Sequence, residues 1–170
     1  MAESSAYKME ARSLGPGNLQ ASPGDHTHDG VTSKALGSWT SYTPAWTSSS
    51  TQPVLNNGTL DGAYLVIANT VDFRIVLTYG TGTTFGSGQY NLTLPVAPAA
   101  VFPLRSSALG TGGFWDASAS AFRAHHVSID SSGGLGFKLI SATGSVWSSS
   151  IPFVPAAFDS LVVIGRYEID

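Results

Sequence analysis

The residues best suited to chemistry are two histidines one position apart, His26 and His28, in the segment GDHTHDG at positions 24–30. In an extended backbone the side chains of residues i and i+2 point the same way, so both imidazoles face one side. Neutral imidazole is a common metal ligand, but two nitrogens do not complete a site that takes four to six ligands. The pair therefore indicates a metal site whose other ligands come from elsewhere.

Copies of the same chain are the simplest source of those ligands. The other two histidines, His125 and His126, lie about a hundred residues later, and the chain has no cysteine. Adjacent strand residues point to opposite faces, so at most one of this second pair could join any one site. Three chains on a three-fold axis would deliver six imidazole nitrogens, an octahedral set suited to a first-row ion such as iron(II). The alternative is a solvated loop in which Asp25 and Asp29 form local turns.

The histidine pair lies in a segment that does not resemble a folded domain. Residues 1–37 show little apolar periodicity, and the sequences GPG at 15–17 and SPG at 22–24 interrupt any helix. We therefore predict an extended N-terminal arm for attachment and trimerisation. Because an extended backbone must satisfy its polar groups, identical arms winding together would supply the partner.

Residues 38–170 have the pattern of an all-β domain. Short β-branched and aromatic runs are separated by turn sequences at intervals of about eight to twelve residues. We predict a jelly-roll-like antiparallel β-sandwich, which would form the knob of a homotrimer. In the segment 70–79, apolar residues alternate with mainly polar ones, which predicts one buried face. Strands are predicted over 62–68, 70–79, 89–94, 121–130, 135–140 and 161–167. Asn57 and Gly58 predict a tight hairpin turn.

Composition narrows the function classes. The 170 residues fit one ordinary domain with a short appendage. Charged residues make up 11%, against roughly 25% in typical soluble domains, and such a surface favours close association of subunits. The net charge is −3 and the eight Lys and Arg are scattered, so no nucleic-acid partner is expected. No apolar run approaches the roughly 18 residues of a membrane span, and no signal peptide is evident, so we expect assembly in a cytoplasm.

No catalytic motif stands out, and we predict that the protein is not an enzyme. The sequence lacks the GxSxG elbow of serine hydrolases, and its carboxylates mostly adjoin turns or strand ends. The enzyme alternative is a metal-dependent hydrolase that uses His26 and His28 with Asp25 or Asp29. Such an enzyme needs an open coordination position, which a six-imidazole site lacks.

Two tryptophans are candidate glycan contacts. Trp115 and Trp147 lie in the segments GGFWD at 112–116 and GSVWS at 144–148, which resemble exposed loops. Aromatic rings near turns stack on the faces of sugars. Core packing and contacts between subunits are the alternative roles for these rings.

Five segments together resemble the minor tail, tail-tip and fibre proteins of tailed bacteriophages, especially those infecting actinobacteria. The segments are GDHTHDG at 24–30, WTSYTPAW at 39–46, NGTLDGAY at 57–64, GQYNLTLP at 88–95 and GRYE at 165–168. The resemblance implies that His26 and His28 form a trimer staple around an axial iron, with zinc or nickel as alternatives. It also implies that the β domain is a non-enzymatic knob or host-contact module.

From the resemblance we expect a virion protein assembled in the host cytoplasm. Residues 1–37 would dock onto other virion proteins, and residues 38–170 would present the knob to the host surface. A head-decorating capsid spike or fibre of the same build is one alternative. A receptor module that binds host cell-wall glycan is another.

Overall fold

The computed structural model describes residues 37–99, 108–129, 136–141 and 144–170. The predicted arm up to residue 36, with His26 and His28, lies outside these ranges. The described residues form strands and no helix. The strands are β1 Thr40–Tyr42, β2 Trp46–Ser48, β3 Thr59–Ile67, β4 Thr70–Thr78, β5 Tyr90–Thr93, β6 Ala108–Asp116, β7 Ala121–Ile129, β8 Gly136–Ser141 and β9 Ser160–Glu168.

All of these strands belong to one antiparallel sheet in the order β1-β3-β4-β9-β6-β7-β8-β5-β2. Strands β1 and β2 follow each other closely in the chain yet pair at opposite ends of the sheet, so the sheet must curl until its two ends meet. Next to β2, Ala45 continues the β2–β5 ladder, because the Thr93 amide donates to the Ala45 carbonyl at 3.1 Å. From β1, the Tyr42 hydroxyl donates to the carbonyl of the same Thr93 at 3.4 Å, which brings the two ends of the sheet together. The predicted all-β, antiparallel class is confirmed, and the curled sheet is consistent with a sandwich.

The six predicted strands correspond to β3, β4, β5, β7, β8 and β9, with ends that differ by at most three residues. The alternation in β4 is also confirmed, because Val71, Phe73, Ile75 and Leu77 are no more than 1% exposed. Burying such a row removes large apolar side chains from water at about 1.5–3 kcal/mol each. The inner side of β4 therefore forms part of the core between the two halves of the curled sheet.

The expectation that Trp147 lies in an exposed loop is wrong. Its side chain is 1% exposed and packs on Trp46, with ring centroids 6.1 Å apart and planes inclined by 7°. Its amide donates to the Leu139 carbonyl at 2.8 Å, and its carbonyl accepts from the Tyr90 amide at 2.9 Å. The backbone of residue 147 therefore bridges β8 and β5, and its indole is enclosed in the core.

The turn predicted at Asn57 and Gly58 is displaced by one residue. The Gly58 amide donates to the Leu55 carbonyl at 3.0 Å, and Asn56 has φ +50°, so Asn56 and Asn57 occupy the centre of the turn. Gly58 serves a different purpose, because a Cβ at this position would lie 2.6 Å from the Thr78 carbonyl oxygen. Gly58 therefore lets its own backbone approach that of Thr78 closely, and it does not occupy the centre of the turn.

Strand β6 was not predicted, because its glycines favour a loop in the sequence. The structure instead places β6 between β9 and β7, where glycine allows close contact with the neighbouring strands. A Cβ on Gly110 would lie 2.0 Å from the Ile164 carbonyl oxygen, and one on Gly113 would lie 1.8 Å from Cζ of Phe122. Trp115 is accordingly a strand residue, and the expectation that it lies in a loop is wrong.

Candidate functional site

The outward side of strands β4, β9, β6 and β7 carries apolar side chains that the core does not use. Val76 on β4 pairs with Val162 on β9, and Val162 in turn pairs with Gly113 on β6. The two valines are 41% and 46% exposed. Ile164, two residues further along β9, is 56% exposed and points to the same side.

Aromatic rings extend this surface across β6 and β7. Trp115 and Phe122 are paired across the two strands, and they are 43% and 65% exposed. The Phe122 ring lies over Gly113, directly beside the Val162 position. We call this surface the apolar patch and define it by Val76, Trp115, Phe122, Val162 and Ile164. Contiguous exposed patches of this kind mark interaction surfaces in soluble proteins.

A groove lies at the other end of the same face. It encloses about 630 Å³ and is open to solvent. Its side chains come from the segment before β1, from β4, from β6 and from β9. They are Trp39, Asp72, Arg74, Thr111, Ile164 and Arg166. We call it the Trp39 groove. Ile164 is the one residue that belongs both to these six side chains and to the apolar patch.

The two arginines of the groove have different partners. Arg166 donates to Asp72 through Nε at 2.7 Å and through Nη2 at 2.9 Å, a two-point contact that matches a guanidinium to a carboxylate. Hydrogen bonding to Asp72 raises the pKa of Arg166 above its already high value. Arg74 lies over the Trp39 ring, 4.6 Å from its centroid, and has no carboxylate partner among the described residues. Within the described ranges, the groove therefore carries one positive charge without a carboxylate partner, beside an aromatic ring.

The position of Trp39 follows from the local sequence. Gly37 has φ +94°, a conformation that glycine adopts at little cost. A Cβ there would lie 2.4 Å from Cδ1 of Leu65 and 2.7 Å from the Val66 carbonyl oxygen, so only glycine lets the chain run this close to β3. The next residues enter β1, where Thr40 pairs with Tyr64. The tight contact at Gly37 thereby fixes the position of the backbone from which the Trp39 side chain extends.

The two predicted glycan contacts differ in their exposure to solvent. Trp115 is exposed on the apolar patch, where a partner could reach it, whereas Trp147 is buried and inaccessible to a ligand. Sequence reasoning did not select Trp39, because the groove depends on strand pairings between residues far apart in the chain. The local signal for this site was the presence of Trp39 in the segment WTSYTPAW at 39–46.

His125 and His126 point to opposite faces, as predicted. His126 is exposed on the outward side, paired with Thr111 of the groove. His125 is 3% exposed and packs edge-on against Phe114 at 5.0 Å. Its Nδ1 lies 3.0 Å from the Arg123 carbonyl oxygen, and its Nε2 has no hydrogen-bond partner in the described part of the chain. Burial lowers the pKa of His125, which favours a neutral, structural ring.

The two buried carboxylates of the described residues also have structural partners. Asp159 is 1% exposed and accepts from the amides of Ala117 at 2.8 Å and Ala156 at 2.7 Å. Asp116 accepts from the Ala119 amide at 2.9 Å and from Ser118 Oγ at 2.8 Å, and these bonds lower its pKa. Both carboxylates therefore anchor loops.

Neither a metal cluster nor a membrane-spanning helix occurs in the described ranges. No group of three or more His, Asp or Glu side chains there is arranged to hold a metal ion. No helix there is long and apolar enough to cross a bilayer. The predicted metal ligands, His26 and His28, lie outside the described residues. No family model, curated protein or solved structure matches the chain.

Proposed function

We propose that this protein is a non-enzymatic, homotrimeric structural subunit of a tailed bacteriophage particle, in its tail, tail tip or fibre. The arm would join three chains and dock onto other virion proteins, and the β domain would face the host. The apolar patch is the observation that carries the assembly part of the proposal, and the five segments that resemble phage tail and fibre proteins support the kind of particle. Leaving five large apolar side chains exposed on one face costs solvation free energy, which a bound partner would recover.

The patch is suited to contact between copies of a rigid subunit. It lies on four neighbouring strands whose hydrogen-bond ladders hold its shape, so little conformational entropy is lost when it docks. With 11% charged residues, neighbouring copies repel each other weakly. These features support assembly rather than catalysis as the main task of the domain.

The metal staple is the second part of the proposal. His26 and His28 would each contribute one nitrogen, so three chains would surround an axial ion with imidazole alone. Iron is the expected ion, with zinc or nickel as alternatives. The bound ion would stabilise the trimer by linking three arms, because ligand binding to the assembled state shifts the equilibrium toward it.

Native mass spectrometry of the full chain, combined with metal analysis, tests both parts. We expect a trimer that carries one ion for every three chains. A monomer at micromolar concentration would overturn the trimer, and a trimer without metal would overturn the staple. Immunogold labelling of phage particles then distinguishes a tail subunit from a head-decorating spike.

A further inference from the structure

We infer that the Trp39 groove binds a saccharide that carries an anionic group, with Trp39 stacking on the sugar ring and Arg74 binding the anion. The inference rests on the proposed host-contact function and gives it a site and a ligand class. It moves the expected glycan contact from Trp147, which is buried, to a tryptophan that is 47% exposed.

Trp39 provides the aromatic surface. Indole rings bind the C–H faces of pyranoses, and a ring that is already held in place loses little entropy when it does so. The guanidinium carbon of Arg74 lies 4.6 Å from the centroid of the Trp39 ring. The close passage of Gly37 along β3 fixes the backbone that carries Trp39. The ring is therefore positioned before a ligand arrives while about half of its surface remains open.

Arg74 sets the preferred charge of the ligand. The groove holds two guanidinium groups and one carboxylate, and Arg166 uses that carboxylate. Arg74 is left with an aromatic partner alone among the described residues, so its N–H groups remain available for an acceptor. A guanidinium fork matches the two oxygens of a carboxylate or a phosphate. An anionic ligand is also favoured because a neutral one would leave that charge uncompensated.

The remaining groups suit sugar hydroxyls. The Asp72 and Arg166 pair presents both acceptors and donors at the groove, and their side chains are 23% and 69% exposed. The Thr111 hydroxyl lies across the groove on β6 and adds one group that both donates and accepts. Polar groups placed around an aromatic surface provide orientation and specificity in ligand sites.

The first experiment compares ligands that differ only in charge. Full-length protein, labelled with ¹⁵N, is titrated with cellobiouronic acid and with cellobiose, and the Trp39 indole N–H signal is followed. We expect saturable shifts with the acid and affinity for the neutral sugar that is weaker by about tenfold. Glucose 6-phosphate and glucose form a second pair, which shows whether the anion is a phosphate. Equal affinity for charged and neutral sugars, or no saturable shift with either anion, overturns the inference.

The second experiment compares variants by isothermal titration calorimetry, because Trp39→Ala has no Trp39 indole signal to follow. Arg74→Gln should abolish the preference for the charged sugar, and Trp39→Ala should weaken binding of both sugars by about tenfold. Arg123→Gln is the matched control, because Arg123 is an exposed arginine on β7 that does not line the groove. Circular dichroism and the melting temperature verify the fold of each variant. A loss of affinity in Arg123→Gln equal to that in Arg74→Gln would indicate bulk charge rather than a site.

Ligand binding and assembly are measured separately. If native mass spectrometry shows a trimer while the acidic sugars do not bind, the groove inference fails and the assembly proposal stands. If a monomer binds the acidic sugar with the stated preference, the trimer fails and the groove stands. Shifts of the Trp39 signal on dilution of protein alone would indicate that the groove is occupied by another copy, which overturns the inference.

Discussion

The ring of Phe122 on β7 occupies the space that a side chain on Gly113 of β6 would fill. The two residues are not paired, since Gly113 pairs with Ala124 and Phe122 pairs with Trp115. The Phe122 ring therefore extends along β7 and across to β6, covers the glycine backbone and remains 65% exposed on its other side. Aromatic cover of a strand glycine in this way builds an apolar surface from a segment rich in glycine.

Two glycines of β6 should respond differently to alanine. We expect Gly110→Ala to lower the free energy of unfolding by about 3 kcal/mol or more, because its Cβ would meet backbone atoms of Ile164 and Gly165 within 2.5 Å. Gly113→Ala should cost only about 1 kcal/mol, because the exposed Phe122 ring can rotate away. Urea unfolding followed by tryptophan fluorescence measures both. Equal costs would show that the backbone contact at Gly110 relaxes freely.

The apolar patch should be required for assembly. Val162→Glu places a charge at the centre of the patch, and desolvating that charge in an interface would cost several kcal/mol. We therefore expect the variant to shift from trimer toward monomer at micromolar concentration, as measured by native mass spectrometry or light scattering. Val54→Glu is the control, because Val54 is 51% exposed and pairs with Thr84 away from the patch. A Val162→Glu trimer as stable as the wild type would remove the patch from the interface.

The histidine pair should control metal content. We expect the double variant His26→Ala and His28→Ala to lose bound metal and to lower the melting temperature of the trimer. His126→Ala is the control, since it is an exposed histidine outside the predicted site. Lowering the pH through the imidazole range should release metal from the wild type, because protonated imidazole does not ligate. Unchanged metal content in the double variant would refute the staple.

The sequence predicts the strands well where each strand carries its own alternation. In β4 and β9 one face is buried and the other is exposed, so the period of two is visible without knowledge of partners. Strand β6 was not predicted, because its glycines are required by contacts with neighbouring strands, as at Gly110. No local sequence pattern indicates such a contact. The same limit applies to the candidate site, because Trp39, Arg74 and Ile164 meet only through the sheet order.

Replacing Trp147 or Trp115 with alanine should lower the free energy of unfolding by different amounts. Trp147→Ala removes a ring that is 1% exposed and packed on Trp46, Tyr90 and Phe114, and we expect a loss of about 3–5 kcal/mol. Trp115→Ala should change stability by less than about 1 kcal/mol, because its ring is 43% exposed. Chemical denaturation at one protein concentration compares them. A severe loss in Trp115→Ala would assign that ring to packing rather than to the exposed patch.

His125 should make stability depend on pH below neutrality. Its pKa is lowered in the fold mainly by burial, so the unfolded chain, with a pKa near 6.5, takes up the proton more readily. The stabilising contribution is therefore complete above about pH 6.5 and declines as the pH falls toward the lowered pKa, below which it changes no further. Urea midpoints measured between pH 8 and pH 4 should show this decline.

The variant His125→Phe should remove that contribution to the decline. Phenylalanine keeps an aromatic ring against Phe114 and has no proton to gain. His126→Gln should retain most of the decline, because burial lowers the pKa of His125 more than the charge of His126 does. The measurements are made with a chelator present, so that release of metal from His26 and His28 does not contribute. Asp116, whose pKa is lowered by hydrogen bonds from Ala119 and Ser118, adds its own loss only as the pH falls below about 4, so the two windows separate. An unchanged decline in His125→Phe would show that another group governs acid sensitivity near pH 6.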